Sequence, residues 1–412
     1  MKSLNLASRI IPAILCLLLS SCSEPAAEPS FSRLQTGEWK IVFDIGKTLI
    51  PVRLEVCSPD RWQIHNDGET IALEGLSFNA DSFHVKLPLF QTYLHGRIEN
   101  DSTLSGYLHD PTRSADYTIP FTVRLNHEVL PPTANAPTLT YDCTFSPADS
   151  SEMYKALGMF RRNGDAIAGT FLTETGDYRF LSGRVVRDSL QLSCFDGAHL
   201  FGFNALLRGD SIVSGTFYSG KHWNEPWEGV LSPDAALRDP ESLTQLKSGT
   251  GDFSFQVQSL DGDTVHFGSD SLAHRVSLIQ IMGSWCPNCT DESKLLKQLY
   301  AAHSDQGLRI IPVAFERSED RAESARILRA QWDELSIPYP VYLGAGKGKG
   351  KAEQTFPMLN HVMSFPTCIF VDKKGQVRKI HTGFYGPGTG DYYDHYVERL
   401  EMFVQKLLSE PS

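Results

Sequence analysis

A chain of 412 residues, 41% hydrophobic and 10% aromatic, has enough apolar side chain to fill large cores, which excludes disorder and suggests two or three domains. The formal net charge of −11 and the lack of a basic block argue against nucleic acid as a partner. Acidity of this size is mainly a solubility property.

The chain opens Met1-Lys2-Ser3, reaches Arg9, runs apolar over residues 10–19 and then reads Leu19-Ser20-Ser21-Cys22. A charged start, a short apolar region and small residues before a cysteine are similar to a bacterial lipoprotein signal. That resemblance implies a signal over residues 1–22, cut before Cys22, which then carries the lipid. The apolar run falls short of the about 20 residues a spanning helix needs, and an uncleaved anchor is the other reading. Either way the expectation is a cell-envelope protein, lipid-anchored to a membrane and facing the periplasm or the exterior. A Pro/Ala/Glu-rich tether fills residues 23–33, too polar to pack.

Residues 34–231 show short alternating runs broken by Asn, Asp and Gly, without a helical period, and predict an all-β domain. Asp101-Ser-Thr-Leu-Ser-Gly106 matches Asp210-Ser-Ile-Val-Ser-Gly215, and about twenty residues upstream of each lies Asp81-Ser-Phe-His-Val85 or Asp188-Ser-Leu-Gln-Leu192. Two copies of a meander, 34–130 and 138–231, would explain the match; chance similarity of turn residues is the alternative. Phe195-Asp-Gly-Ala-His199 and Lys221-His-Trp-Asn-Glu-Pro-Trp227 stand out as possible pocket linings, or simply as turn chemistry and aromatic core.

Residues 232–250 read as the linker to a last domain, 251–412. The predicted elements there are a hairpin over 253–267, a strand over 276–282, a helix from about Pro287 to His303 and a continuous apolar strand over 308–315. A helix over 321–335 and a short strand over 339–343 follow. Gly344-Ala-Gly-Lys-Gly-Lys-Gly-Lys351 predicts a flexible basic loop, and it contains no Walker A motif. A hairpin over 368–382 leads to a terminal helix marked by Tyr393, Val397, Leu400, Val404 and Leu407.

Of the 8 cysteines, Cys16 and Cys22 belong to the signal region, and the remaining set is too sparse for a disulfide framework. Cys57, Cys194 and Cys368 sit in strand-like contexts and are expected to be buried small hydrophobes. Cys286 and Cys289 differ. Val276-Ser-Leu-Ile-Gln-Ile-Met-Gly-Ser-Trp-Cys-Pro-Asn-Cys289 places them two residues apart, directly after a strand and at the start of a helix. There backbone N–H groups and the helix dipole stabilise a thiolate, and the second thiol, one turn on, can close a disulfide. A C-x-x-C is also half of a zinc site, but no second Cys or His pair follows at short spacing. No metal and no cofactor beyond the redox-active pair is expected.

Trp285, Pro287 within the pair, and the distant Ser364-Phe365-Pro366-Thr367 before another apolar run make about the last 160 residues resemble the thioredoxin superfamily. Within it, they resemble the TlpA/ResA-like thiol-disulfide oxidoreductases. The β, α, β, α, β, β, α order is that of the thioredoxin core, so the fold class expected is multidomain, all-β followed by an α/β thioredoxin-like fold. The resemblance implies Cys286 as nucleophile and Cys289 as resolving thiol. It also implies a cis bond at Pro366, with Phe365 and Trp285 contacting substrate. Pro287 suits the first helical position because its missing N–H is an orphan there anyway. Glu292 matches the family's helix glutamate, a candidate base for Cys289, against the alternative of an ordinary exposed carboxylate; Glu316 competes for the same role. The segment His381-Thr-Gly-Phe384 is expected at the rim.

The expected activity is envelope-anchored exchange of disulfides with protein thiols and disulfides, most simply as a reductase recharged by a membrane electron donor of the thiol-disulfide type. A peroxiredoxin-like thiol peroxidase is an alternative. It is weakened because Ile279-Gln-Ile-Met-Gly-Ser-Trp285 lacks the Pro and Thr that precede a peroxidatic cysteine. A surface lipoprotein whose β domain recognises a ligand is the third reading.

Overall fold

The computed structural model describes residues 34–411 apart from 129, 250 and 347. The expected signal, Cys22 and the tether lie outside the described residues. Three sheets follow one another along the chain: nine strands between Gly37 and Leu125, nine between Thr138 and Leu231, and seven between Phe255 and Thr382.

Alternation builds the first two sheets. In Gly37–Asp44 the buried side chains are Trp39, Ile41 and Phe43, and in Leu49–Ser58 they are Ile50, Val52, Leu54 and Val56, each set on one face of its strand. In each half the last strand pairs with the first, Thr118–Leu125 with Gly37–Asp44 and Trp223–Leu231 with Thr138–Phe145. A further pairing between Tyr154–Asn163 and Ala166–Thr173 closes the second sheet into a barrel around Phe145, Phe171, Phe203 and Trp227, whereas the first remains open. The repeated turns occupy equivalent hairpins. Asp101-Ser102 joins Tyr93–Asn100 to Thr103–His109, and Gly209-Asp210 joins Leu200–Arg208 to Ser211–Ser219. The strand after each upstream Asp-Ser turn pairs with the first strand of that hairpin. This is the arrangement a duplicated meander would have.

Ala166–Thr173 is buried along its whole length, because its outer face is covered as well as its inner one. Leu157, Met159 and Leu172 pack there with Ala235 and Leu237 of the linker and Tyr385 of the last domain. The linker itself is bound down: Thr382 donates to Thr244 at 2.9 Å, and Asn360 N–H to the Gln245 carbonyl at 2.9 Å.

In the third sheet, Val276–Met282 lies between Leu308–Ala314, parallel to it, and Thr367–Val371, antiparallel. All seven residues of Val276–Met282 are buried, since both faces of the sheet are covered. Leu296 of Pro287–His303, Leu328 of Arg321–Leu335 and Val404 of Asp391–Ser409 fill one face, and Phe255, Ala352 and Phe356 fill the other.

Two sequence expectations are corrected. The Gly/Lys loop over 344–351 gives way to a helix, Lys349–Thr355, in which Ala352 is buried and donates a core contact the glycines and lysines hid. Cys57 is only half-buried, because Ile50, Val52, Leu54 and Val56 take the inward positions and the register shifts between Val56 and Ser58. Cys194 and Cys368 are buried, as is Cys143. Among the described residues, no helix is long and apolar enough to cross a membrane.

Candidate active site

The buried strand Val276–Met282 delivers the chain into a tight turn, and Cys286 then caps the helix Pro287–His303. Its Sγ accepts from the Cys289 N–H at 3.2 Å, the position in which a thiolate would be held by backbone dipoles. Cys286 and Cys289 are joined as a disulfide with their Cα atoms 5.2 Å apart. Cys286 is 7% exposed and Cys289 0%, so an incoming group can reach only the first sulfur. Pro287 occupies the first turn, where no N–H is needed.

The Phe365-Pro366 bond is cis, and the Phe365 carbonyl oxygen stands 3.6 Å from Cys286 Sγ. Thr367 Oγ1 donates to the Ser364 carbonyl at 2.8 Å and fixes this loop. Trp285 donates from its indole to the Phe315 carbonyl at 3.1 Å and lays its ring 5.9 Å from that of Phe365. Thus Trp285, Cys286, Phe365 and Pro366 are brought together from segments about 80 residues apart, with Cys286 and Phe365 separated by 79.

Glu292 lies fully buried one turn beyond Cys289 on the same helix. Burial pushes its carboxyl up to about 7, with hydrogen bonds from Gln280 at 2.9 Å and Tyr396 at 3.4 Å working in the opposite direction. Gln280 also donates to the Cys289 carbonyl at 3.2 Å, which links the two residues through one amide. Glu316 is buried too, and burial raises its pKa. Its carboxylate, however, accepts from both the Ser284 N–H, at 2.8 Å, and the Ser284 hydroxyl, so its work is to hold the turn before Trp285. His381, Thr382 and Phe384 are buried rather than at a rim: Phe384 packs against Tyr396 in the core that also contains both cysteines. Among the described residues no cluster could hold a metal ion.

Sequence reasoning missed what lies on top. The segment 173–180, from the barrel, reaches across to the cysteine helix and the cis-proline loop. Ser364 Oγ donates to the Thr175 carbonyl at 2.7 Å, Asn288 Nδ2 to the Asp177 carbonyl at 3.2 Å, and Gly386 N–H to the Asp177 carboxylate at 2.6 Å. Arg179 closes the contact with an ion pair to Asp291 and another to Glu69 at 2.6 Å, with Asp196 at 3.6 Å. Burial works to lower the Arg179 pKa, but Glu69, Asp196 and Asp177 outweigh it and raise it. Asp196, singled out in the sequence, is therefore a structural anion that also accepts from the Ala198 and His199 N–H groups. Trp227, from the second such segment, is a core residue.

The AhpC/TSA family matches residues 252–380. The thiol:disulfide interchange protein DsbE of Escherichia coli K12 is 27% identical over 158 residues, 38% of this chain and 77% of that protein. The thiol-disulfide oxidoreductase ResA of Halalkalibacterium halodurans is 23% identical over 137 residues, 33% of this chain and 69% of that protein. A crystal structure of a thioredoxin-family thiol:disulfide interchange protein from Chlorobium tepidum aligns with 42% of this chain and 100% of its own, at 19% identity and a TM-score of 0.29. The C-terminal domain is a TlpA/ResA-like thiol-disulfide oxidoreductase.

The oxidoreductase domain thus carries its redox pair beneath a loop of its neighbour. Gly176 makes that close fit possible. Its φ is +140°, and an added Cβ would meet Asn288 Nδ2 at 2.6 Å. Gly176→Val is expected to lift the loop, at a strain of about 1–3 kcal/mol. Alkylation of reduced Cys286 should then quicken by roughly tenfold or more. A rate equal to that of the native chain would show that residues 173–180 do not shield the sulfur.

Proposed function

We propose that the protein is an envelope-anchored protein-disulfide reductase that works through the Cys286-Pro287-Asn288-Cys289 motif and is recharged by a membrane dithiol donor. The observation that supports it best is the pairing of an N-capping Cys286 with the cis Phe365-Pro366 loop, whose carbonyl oxygen lies 3.6 Å from Cys286 Sγ. In the reduced chain, the Cys286 thiolate attacks one sulfur of a substrate disulfide. A mixed disulfide forms and one substrate thiolate leaves. Cys289, giving its proton to Glu292, attacks the Cys286 sulfur, re-forms the internal disulfide and releases the second substrate thiolate. Two electrons pass to the substrate, and a donor dithiol restores the pair. Phe365 and Trp285 would face the incoming peptide, whose backbone could add to the cis-proline loop as an extra strand.

The full chain should accelerate dithiothreitol-driven reduction of insulin, read as precipitation of its free B chain; a rate no higher than with dithiothreitol alone would contradict the reading. For the anchor, Cys22→Ala or globomycin should leave the precursor uncleaved. Incorporation of a fatty-acid analogue that survives Cys22→Ala would remove the anchor from the account.

A further inference from the structure

The redox pair has two flanks, and they differ. On one, residues 175–177 are bonded to Ser364, Asn288 and Gly386, and Arg179 to Asp291, so that approach is closed. On the other, beside Trp285, a cleft of about 370 Å³ opens between the first sheet and the oxidoreductase domain, lined among others by Thr92, Tyr93, Thr112, Ser284, Trp285 and Arg317.

The charges in this cleft are spoken for, with one exception. Arg113 pairs with Asp110 at 3.1 Å, Arg326 with Glu323 at 2.8 Å, and Glu316 serves Ser284. Arg317 follows Glu316 directly in sequence. Its guanidinium lies 4.8 Å above the Trp285 ring and donates to Thr112 Oγ1 at 3.1 Å; among the described residues it forms no ion pair, although Asp110 and Glu316 lie near enough to favour its charge. A guanidinium carries five N–H donors in a fork that fits a carboxylate. This one is half-buried, with most of that fork unused, on the tryptophan that adjoins the nucleophile.

We propose that this cleft is where the substrate of the reductase described above enters, and that Arg317 receives a carboxylate carried next to the substrate disulfide. The inference rests on that reductase reading. Burial pulls the Arg317 pKa down to about 10, so the cation persists at neutral pH but is poorly solvated, and a bidentate carboxylate would restore what burial removed. The carboxylate has two natural sources: an acidic residue flanking a cystine in a protein, or the ends of a small peptide disulfide.

The test uses the full chain, dithiothreitol as reductant, and four substrates: one cystine peptide flanked in turn by Glu, Gln or Lys, and glutathione disulfide. The expected order of kcat/KM is Glu, then Gln, then Lys. Glu should exceed Gln by roughly tenfold at low salt, and the ratio should shrink as ionic strength rises. Arg317→Met keeps the apolar stem and should bring the Glu/Gln ratio close to one, while Arg317→Lys, a point charge without the fork, should retain part of it. Glutathione disulfide sharing the Arg317 dependence would make the source a small disulfide; dependence confined to the peptides would make it a protein. Equal Glu and Gln rates in the native chain, or a ratio preserved in Arg317→Met, would overturn the inference. The native ratio and its salt dependence decide the matter even if Arg317→Met fails to fold. Reduction of none of the four would instead overturn the reductase reading, and this inference with it.

Discussion

Cys286→Ser is expected to abolish insulin reduction, because the buried Cys289, at 0% exposure, cannot meet an external disulfide in its place. Cys289→Ser should do something different. The Cys286 thiolate still attacks, no resolving thiol follows, and the mixed disulfide persists. Incubation of Cys289→Ser with envelope extract should therefore yield covalent adducts that run apart on non-reducing gels and collapse with dithiothreitol. Cys286→Ser should yield none. Full activity in both single variants would refute the redox assignment of this pair.

Glu292→Gln keeps the shape and the hydrogen-bonding amide neighbours but removes the base. With its carboxyl at about 7, Glu292 is poised near neutral pH, where a general base is most effective. Resolution of the mixed disulfide should slow by about two to four powers of ten, and that step should become limiting. The pH profile should lose the inflection near neutrality and move toward that of a bare thiol near about 8.5. An unchanged profile would pass the role to Glu316 or to water.

The same substitution carries a stability signature. Unfolded, the carboxyl ionises near its ordinary 4.5; folded, it stays protonated until about 7. Between those values the folded chain holds a proton the unfolded chain has lost, so stability falls as pH rises through that window and then levels. The accumulated cost is about 3 kcal/mol. Glutamine does not titrate. Relative to the native chain, Glu292→Gln should therefore gain stability from pH 4.5 to pH 8, seen in urea midpoints. Parallel curves would mean that the carboxylate is not held in the protonated form.

The redox motif was legible because its signals are local: an apolar strand, the C-x-x-C and a proline at the first helical turn lie within fourteen consecutive residues. The alternating pattern gave the two β sheets for the same reason, and their repeated Asp-Ser turns fall in equivalent hairpins. The helix Lys349–Thr355 was hidden because Gly350 and the glycines just before it disfavour helix, while Ala352 and Phe356, one turn apart, anchor it on the core. The cover over the redox pair could not be read at all. Thr173-Glu-Thr-Gly-Asp-Tyr-Arg179 looks like any polar hairpin, and its bond to Ser364 spans 189 residues. Likewise Arg317 is one arginine among many in the sequence. Only the pairing of Arg326 with Glu323 leaves it, of the two arginines that line the cleft, the one without an ion pair among the described residues.

The reduction potential of the Cys286/Cys289 couple in the full chain tests the central claim most directly. Equilibrated in thiol–disulfide buffers, quenched with acid and read by alkylation and mass, the chain should pass through one two-electron transition between about −270 and −120 mV, the span of known thiol-disulfide oxidoreductases. A pair that stays oxidised below about −300 mV would be a structural disulfide, and would contradict the account.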